Sequence, residues 1–336
     1  MTTMATIPRA KALAWAAMAV VAIVAPYVVD DYQVFQLARL TTTAMAVASL
    51  VLLTGWSGQV SAGHGAFFGV GAYAAAILIV KAGLPWPVAV VLATLVSFLA
   101  GLLAGLPALR IRGISLALIT LVLAVLLPPL VVRFDGLTGG STGMPLPPVR
   151  TPAGIQLSGA QFFYLVTLAV LAAVLVLLAT VCRGRTGRSL AALRDQPVMA
   201  ATAGVPTAKL SLLVFGASGA IAGLGGALNA LAIQSVVPDS YTFTVSLALL
   251  TGAVVGGIRS WAGALIGAVF VVYLPQVISD SVGDSLASHW TQVVYAVLLL
   301  LVLYLAPQGL AGLGTRLAAV RIPGARLTST TPRRQS

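Results

Sequence analysis

Apolar residues occur along this chain in long runs separated by short polar segments. The runs fall at approximately Leu13–Val29, Leu40–Leu53, Ala66–Val80, Pro87–Leu109, Ile114–Val132, Phe162–Val181, Leu210–Ile233, Val245–Gly257, Ala262–Ile278 and Trp290–Leu305. About 20 apolar residues carry a helix across the hydrocarbon core, and only a structure that closes its own backbone hydrogen bonds survives there. The pattern therefore predicts an all-α, polytopic integral membrane protein with about ten transmembrane or re-entrant helices. The second, third and eighth runs are short and rich in Gly, Ala, Ser or Thr, which predicts tilted, broken or re-entrant segments. The first run follows Arg9 and Lys11; it is long for a secretory signal and lacks a small-residue cleavage site, so a retained first span is expected.

Composition excludes a separate water-soluble catalytic domain, because 59% of the 336 residues are hydrophobic and 8% are charged. The expected organisation is a membrane domain over residues 1–313, with a cytoplasmic loop at 182–209 and an outer loop at 133–160. A basic, disordered cytoplasmic tail is expected over 314–336. The formal net charge is +12, and all seven acidic residues are Asp. Basic residues lying between apolar runs orient a polytopic protein and do not point to nucleic acid. With both termini cytoplasmic, ten crossings place Arg9, Lys11, Arg110, Arg112, Arg183, Arg185, Arg188, Arg194, Lys209, Arg259 and the tail arginines inside. Arg39, Lys81, Arg133 and Arg150 then fall outside or near the outer face, as the positive-inside bias requires.

Several chemistries lack their residues. No Gly-x-x-x-x-Gly-Lys-Ser/Thr loop is present to cradle nucleotide phosphates, so this chain is not expected to hydrolyse ATP. Ion-coupled carriers use intramembrane carboxylates, whereas every Asp here lies in a predicted loop or at a span end. The ionisable candidates at depth are His64, the less deeply placed Arg39, and Arg259 in a short turn. His64 and His289 lie on opposite faces of the threading, which disfavours bis-His haem, and Lys11, Lys81 and Lys209 sit at span ends, which disfavours a retinal Schiff base. No metal-ligand set, no cofactor and no enzymatic constellation are expected, and the single Cys182 excludes an internal disulfide framework.

Three segments carry information. In LLTGWSGQVSAGHGAFFGVGAYAAA, Leu52–Ala76, the glycines at 55, 58, 63, 65, 69 and 71 disfavour a plain helix. Gln59, Ser61 and His64 there face a pathway or a helix junction; the alternative is close packing through small residues, with His64 as a structural tie. In Cys182–Lys209, Ser189 is expected to cap one short helix carrying Leu190 and Leu193, and Pro197 to open a second that ends at Gly204 before Pro206. This knob docks on a partner or lies on lipid. The turn-rich outer loop Arg133–Ala160 receives an extracytoplasmic partner or simply connects spans. Leu52-Leu53-Thr54-Gly55 recurs at Leu249–Gly252, but four common residues fit coincidence better than a duplicated half.

At these segments the sequence resembles the branched-chain amino acid ABC transporter permeases of the LivM type. The resemblance rests on Leu52–Ala76, on LTGGSTG at Leu137–Gly143, and on Gly187–Pro275, including GRSLAALRDQPVMAATAGV, ASGAIAGLGGAL and VVPDSYTFTVSLALLTGAVVGGIRSWAGALIGA. It covers about two thirds of the chain. It implies a multi-pass permease of a bacterial plasma membrane that imports branched-chain or other hydrophobic amino acids. The implied partners are a second, LivH-like permease, two cytoplasmic ABC ATPase subunits and an extracytoplasmic solute-binding protein.

The resemblance assigns Arg188, Arg194, Asp195 and Gly204 to ATPase coupling. It places Gln59, Ser61 and His64, followed by Phe67 and Phe68, in the translocation pathway, and Thr138, Gly139 and Gly140 where a binding protein docks. Trp56 stands where the family commonly has Tyr, and Gln196 and Pro197 replace usually acidic positions after Arg-Asp. Two rivals keep their place: a self-contained channel or facilitator for a small polar solute such as urea, and a membrane scaffold.

Overall fold

A computed structural model describes residues 9–111, 113–151 and 156–282, together with helical positions 290, 293, 294, 296, 297, 300, 301, 304 and 310. Nine of the ten apolar runs fall in the continuous part, and each becomes a helix. Of the tenth run only the helical positions just named are described, and the expected tail over 314–336 and both termini lie outside the described residues.

The helices are α1 (Arg9–Val24), α2 (Asp31–Leu50), α3 (His64–Val80), α4 (Trp86–Gly105), α5 (Ile114–Arg133), the short α6 (Asp135–Thr138), and α7 (Gly159–Arg183). They continue with α8 (Arg185–Asp195), α9 (Pro197–Thr202), α10 (Thr207–Ile233), α11 (Phe243–Gly256) and α12 (Trp261–Val282). Among the described residues, six helical segments are long and apolar enough to cross a membrane: Asp31–Trp56, Trp86–Gly105, Ile114–Arg133, Gly159–Arg183, Thr207–Ile233 and Trp261–Ile278. Ala17–Tyr27 and His64–Val80 are apolar but shorter, as is α11. Among the described residues the β structure is a two-residue ladder, β1 (Met144–Pro145) with β2 (Ser235–Val236), which pairs Met144 with Val236.

The second run, expected to be short, belongs to a 26-residue helix whose last six residues, Val51–Trp56, widen into a π-helix. Its polar residues do not stop it because their hydroxyls return to the helix. Thr41 Oγ1 bonds the Ala38 carbonyl, Thr42 Oγ1 the Arg39 carbonyl, and Ser49 Oγ the Ala46 carbonyl. The expected break in the glycine-rich segment is confined to Gly58–Gly63, and Gly65, Gly69 and Gly71 lie inside α3.

Those helical glycines form a packing seam instead. In lipid, helices gain little from hydrophobic association and rely on close approach through small residues. A Cβ on Gly71 would run into the Gly223 carbonyl of α10, and one on Gly226 into the Phe68 carbonyl. Antiparallel to α10, α4 contributes Gly101 against Phe215 and Gly216. The core is thus α10 crossed by α4, α3 and α2.

Helix α7 is fixed to α1 and α2 by its start. Ser158 and Gln161 form a reciprocal capping box, and Gln161 Nε2 also donates to the Pro26 carbonyl at 2.9 Å. Tyr164 Oη donates to the Ala22 carbonyl, and Thr41 Oγ1 lies 2.8 Å from Thr167 Oγ1. The two ends of the bundle are therefore distinct: one holds these caps and the β ladder, the other holds α8 and α9. Arg110, Arg183, Arg185, Arg188, Arg194, Lys209 and Arg259 gather at the α8–α9 end, where Asp195 is the acid among the described residues.

Candidate functional site

The π-helical extension of α2, Val51–Trp56, ends with carbonyls that lack an intrahelical partner and need partners from elsewhere. Gly55 lies so close to the α11–α12 turn that a Cβ would overlap the Ile258 carbonyl. Trp56 stacks on Trp261 with ring centroids 6.0 Å apart and planes 8° from parallel. Gly58 then turns the chain with φ 74°, a left-handed value that favours glycine. Gln59 follows, half-buried; its N–H donates to the Leu53 carbonyl at 3.2 Å and its Nε2 to Ser57 Oγ at 3.2 Å. Its Oε1 is buried and has no protein partner.

Beyond the turn, Ser61 and His64 are completely buried. His64 Nε2 lies 2.7 Å from Ser218 Oγ, and the Ser218 hydroxyl donates to the Ser49 carbonyl at 2.7 Å. Because the one Ser218 hydrogen is committed to Ser49, His64 must supply the hydrogen at Nε2, which assigns the tautomer. Nδ1 is then an acceptor, and Ser61 Oγ, 2.9 Å away, donates to it. Ser61 Oγ also accepts from the Gly63 N–H. One relay thus joins the unwound segment, α3, α10 and α2.

Two more contacts seat the start of α3. The Gly65 N–H donates to Ser246 Oγ of α11, and the Ala62 N–H to Thr120 Oγ1 of α5. Phe67 meets His64 and Phe215 edge-on, and Phe68 packs on Tyr241, all buried. Of the residues assigned to a pathway, then, the structure brings Ser61, His64, Phe67 and Phe68 together inside one chain, and leaves only Gln59 within reach of the surface.

The knob at the other side of this break consists of α8 and α9. Helix α8 begins at Arg185 rather than at Ser189, so the expected cap is corrected: Ser189 is interior and its Oγ returns to the Arg185 carbonyl at 3.2 Å. Helix α9 begins at Pro197, and Gly204 follows it with φ 82°, as expected. Leu190 and Leu193 are buried against the chain's own body. The outward face carries Arg188, Asp195, Gly204 and two exposed apolar side chains, Val198 and Met199, which sequence reasoning did not single out.

Arg194 connects knob and break. Its Nη1 donates to the Gly55 carbonyl at 2.9 Å, and its Cγ lies 2.5 Å from where a Cβ on Gly58 would stand. Its Nε and Nη2 donate to Asp195 at 2.8 and 3.2 Å, forming a two-pronged ion pair. The hydrogen bond from Arg194 holds the exposed Asp195 carboxyl below its usual pKa, helped by the nearby charges of Arg194 and Arg259. Arg188 makes no such contact to the break.

In the outer loop, Thr138, Gly139 and Gly140 are brought together but turned inward. Thr138 Oγ1 bonds the Val131 carbonyl at 2.6 Å and accepts from the Gly140 N–H. Gly139 and Gly140 are left-handed, and a Cβ on either would strike the Gly143 carbonyl or the Asp135 carboxylate. The surface of this turn is offered instead by exposed Phe134 and Leu137.

A family profile described as branched-chain amino acid transport system / permease component matches residues 33–303. The chain is 29% identical over 318 residues to the high-affinity branched-chain amino acid transport system permease protein LivM of Salmonella typhimurium, covering 88% of this chain and 73% of that protein. To LivM of Escherichia coli it is 28% identical over the same shares. It is also 28% identical over 205 residues to LivH of Salmonella typhimurium, covering 59% of this chain and 65% of that one. No solved structure matches the chain.

Proposed function

This chain belongs to the branched-chain amino acid transport system permease family, and we propose that it is the permease subunit of an ATP-driven importer for branched-chain or other hydrophobic amino acids. The α8–α9 end faces the cytoplasm of a bacterial plasma membrane, in keeping with its cluster of basic residues. Two ABC ATPase subunits bind the outward face of the knob. A LivH-like permease supplies the other half of the pathway, and a solute-binding protein docks near Thr138, Gly139 and Gly140, against exposed Phe134 and Leu137.

The observation that carries the coupling step is the bond from Arg194 to the Gly55 carbonyl. A knob that moved with the ATPase would drag the end of α2 and the Gly58 turn with it, since no flexible linker intervenes. Ser61, His64, Phe67 and Phe68 are sealed in this conformation. Displacing the break would open the Gln59–Phe68 segment toward the pathway while the His64 relay keeps α3 tied to α10. Interfaces and packed cores switch between discrete arrangements, so a small shift at the latch suffices for a discrete change in access.

Replacing Arg194 and Asp195 together by alanine tests this. In proteoliposomes holding the whole transporter, uptake and binding-protein-stimulated ATP hydrolysis are expected to fall about tenfold, a loss of ~1.4 kcal/mol in coupling, with membrane insertion unchanged. Unchanged uptake would exclude this loop as the coupling element.

A further inference from the structure

A guanidinium below the membrane surface is costly without a counter-charge, and such residues mark functional sites. Arg39 stands two turns inside α2, counting from Asp31. The other basic residues on the candidate spans among the described residues, Arg133, Arg183 and Lys209, lie in terminal turns. The Arg39 Nε is buried with no hydrogen-bond partner. Among the described residues the ion pair formed is Arg194–Asp195, so no carboxylate neutralises Arg39.

The chain supplies orientation instead. Arg39 Nη1 donates to Gln36 Oε1 at 3.4 Å, and Gln36 Nε2 donates to Tyr32 Oη at 2.9 Å. Gln276 Nε2, from α12, donates to the same Tyr32 Oη at 3.3 Å. The guanidinium also lies 5.9 Å from the centre of the Phe35 ring, a cation–π placement. Gln36, the middle of this ladder, is buried, while Tyr32 at its end is exposed. A positioned, under-bonded guanidinium has the fork geometry that suits one carboxylate, and a charge that only an anion balances.

We propose that Arg39 binds the carboxylate of the transported solute in the half of the pathway nearest the β ladder, with Gln36, Tyr32 and Gln276 keeping its guanidinium in place. The proposal rests on the permease reading and deepens it, because it makes an α-carboxylate, rather than an apolar side chain alone, a requirement for passage. Sequence reasoning named Arg39 among the ionisable candidates at depth, nearer the outer face than His64, and gave it no role.

The test uses the complete transporter in proteoliposomes, with leucine-loaded binding protein as the titrated species and Arg39→Gln and Arg39→Lys as variants. Arg39→Gln is expected to lower maximal leucine uptake about tenfold while the half-saturating concentration of loaded binding protein stays within about twofold. Arg39→Lys, which keeps the charge but loses the fork, is expected to recover only in part, to about threefold below the unmodified transporter. Wild-type uptake in both variants would overturn the proposal. So would equal loss in both with the subunits no longer co-purifying, because that pattern assigns Arg39 to a structural pairing with the second permease. If the unmodified transporter imports no leucine, the permease reading itself fails and takes this proposal with it.

Discussion

At the scale of single residues, His64 and Arg194 do different work. His64 is a neutral junction whose Nε2 hydrogen is fixed by the commitment of Ser218 to Ser49. Replacing it with alanine leaves two buried hydroxyls without their partner, and in a membrane bundle such a loss costs about 1–2 kcal/mol. The expected outcome is a lowered thermal midpoint for the detergent-solubilised protein, with Ser218→Ala adding little on top of His64→Ala; independent, additive losses would show that the two are not coupled. Asp195 has a lowered pKa, so its pairing with Arg194 is complete above the ordinary carboxylate value and is lost only as pH falls through the lower, folded value. Uptake measured between about pH 6 and 8 is therefore expected to have the same pH dependence in Asp195→Asn as in the unmodified transporter. Arg194 itself was legible in the sequence, within GRSLAALRDQ, but its partner Gly55 lies 139 residues away and nothing in a linear pattern links them. Ser218 was visible in the same sense, inside ASGAIAGLGGAL, without any sign that it meets His64.

At the scale of elements, glycine is the residue that both reveals and conceals. The density of glycine between Leu52 and Ala76 marks a real interruption, yet only the segment around Gly58 departs from helix, while Gly65, Gly69 and Gly71 serve contacts made by an intact α3. Composition alone cannot separate a glycine needed for φ from one needed for closeness, because both are selected by the missing Cβ. Gly71 and Gly136 give the contrast. Gly71→Ala forces a carbon into the Gly223 carbonyl and is expected to cost about 1–3 kcal/mol, whereas Gly136→Ala meets nothing within 4 Å and is expected to be near neutral. Size-exclusion profiles and thermal midpoints of the two variants check this; comparable loss in both would mean that the α3–α10 seam is looser than described. The α8 start was misplaced for a related reason: serine has a preference for caps, but its hydroxyl is equally satisfied by the carbonyl one turn back, as Ser189 is by Arg185.

For the molecule as a whole, the run pattern was enough to read an all-helical, multi-pass protein, because hydrocarbon leaves the backbone no other solution. It undercounted α2 with its π-helical end, whose polar first turns hid a span of 26 residues, and it could not distinguish full spans from the shorter α3 and α11. The polar content that distinguishes this bundle from a passive filler lies at its α8–α9 end, where a knob is bonded to the broken end of a span. The proposed importer reading makes this chain the route and its knob the coupling element, with the energy supplied by other chains. The most direct test is leucine uptake into proteoliposomes containing this chain alone, compared with proteoliposomes that also hold a LivH-like permease and the two ATPases and are supplied with ATP and loaded binding protein. Accumulation only in the complete, ATP-supplied vesicles is the expected result; leucine accumulation by the lone chain, driven by an ion gradient, would contradict it.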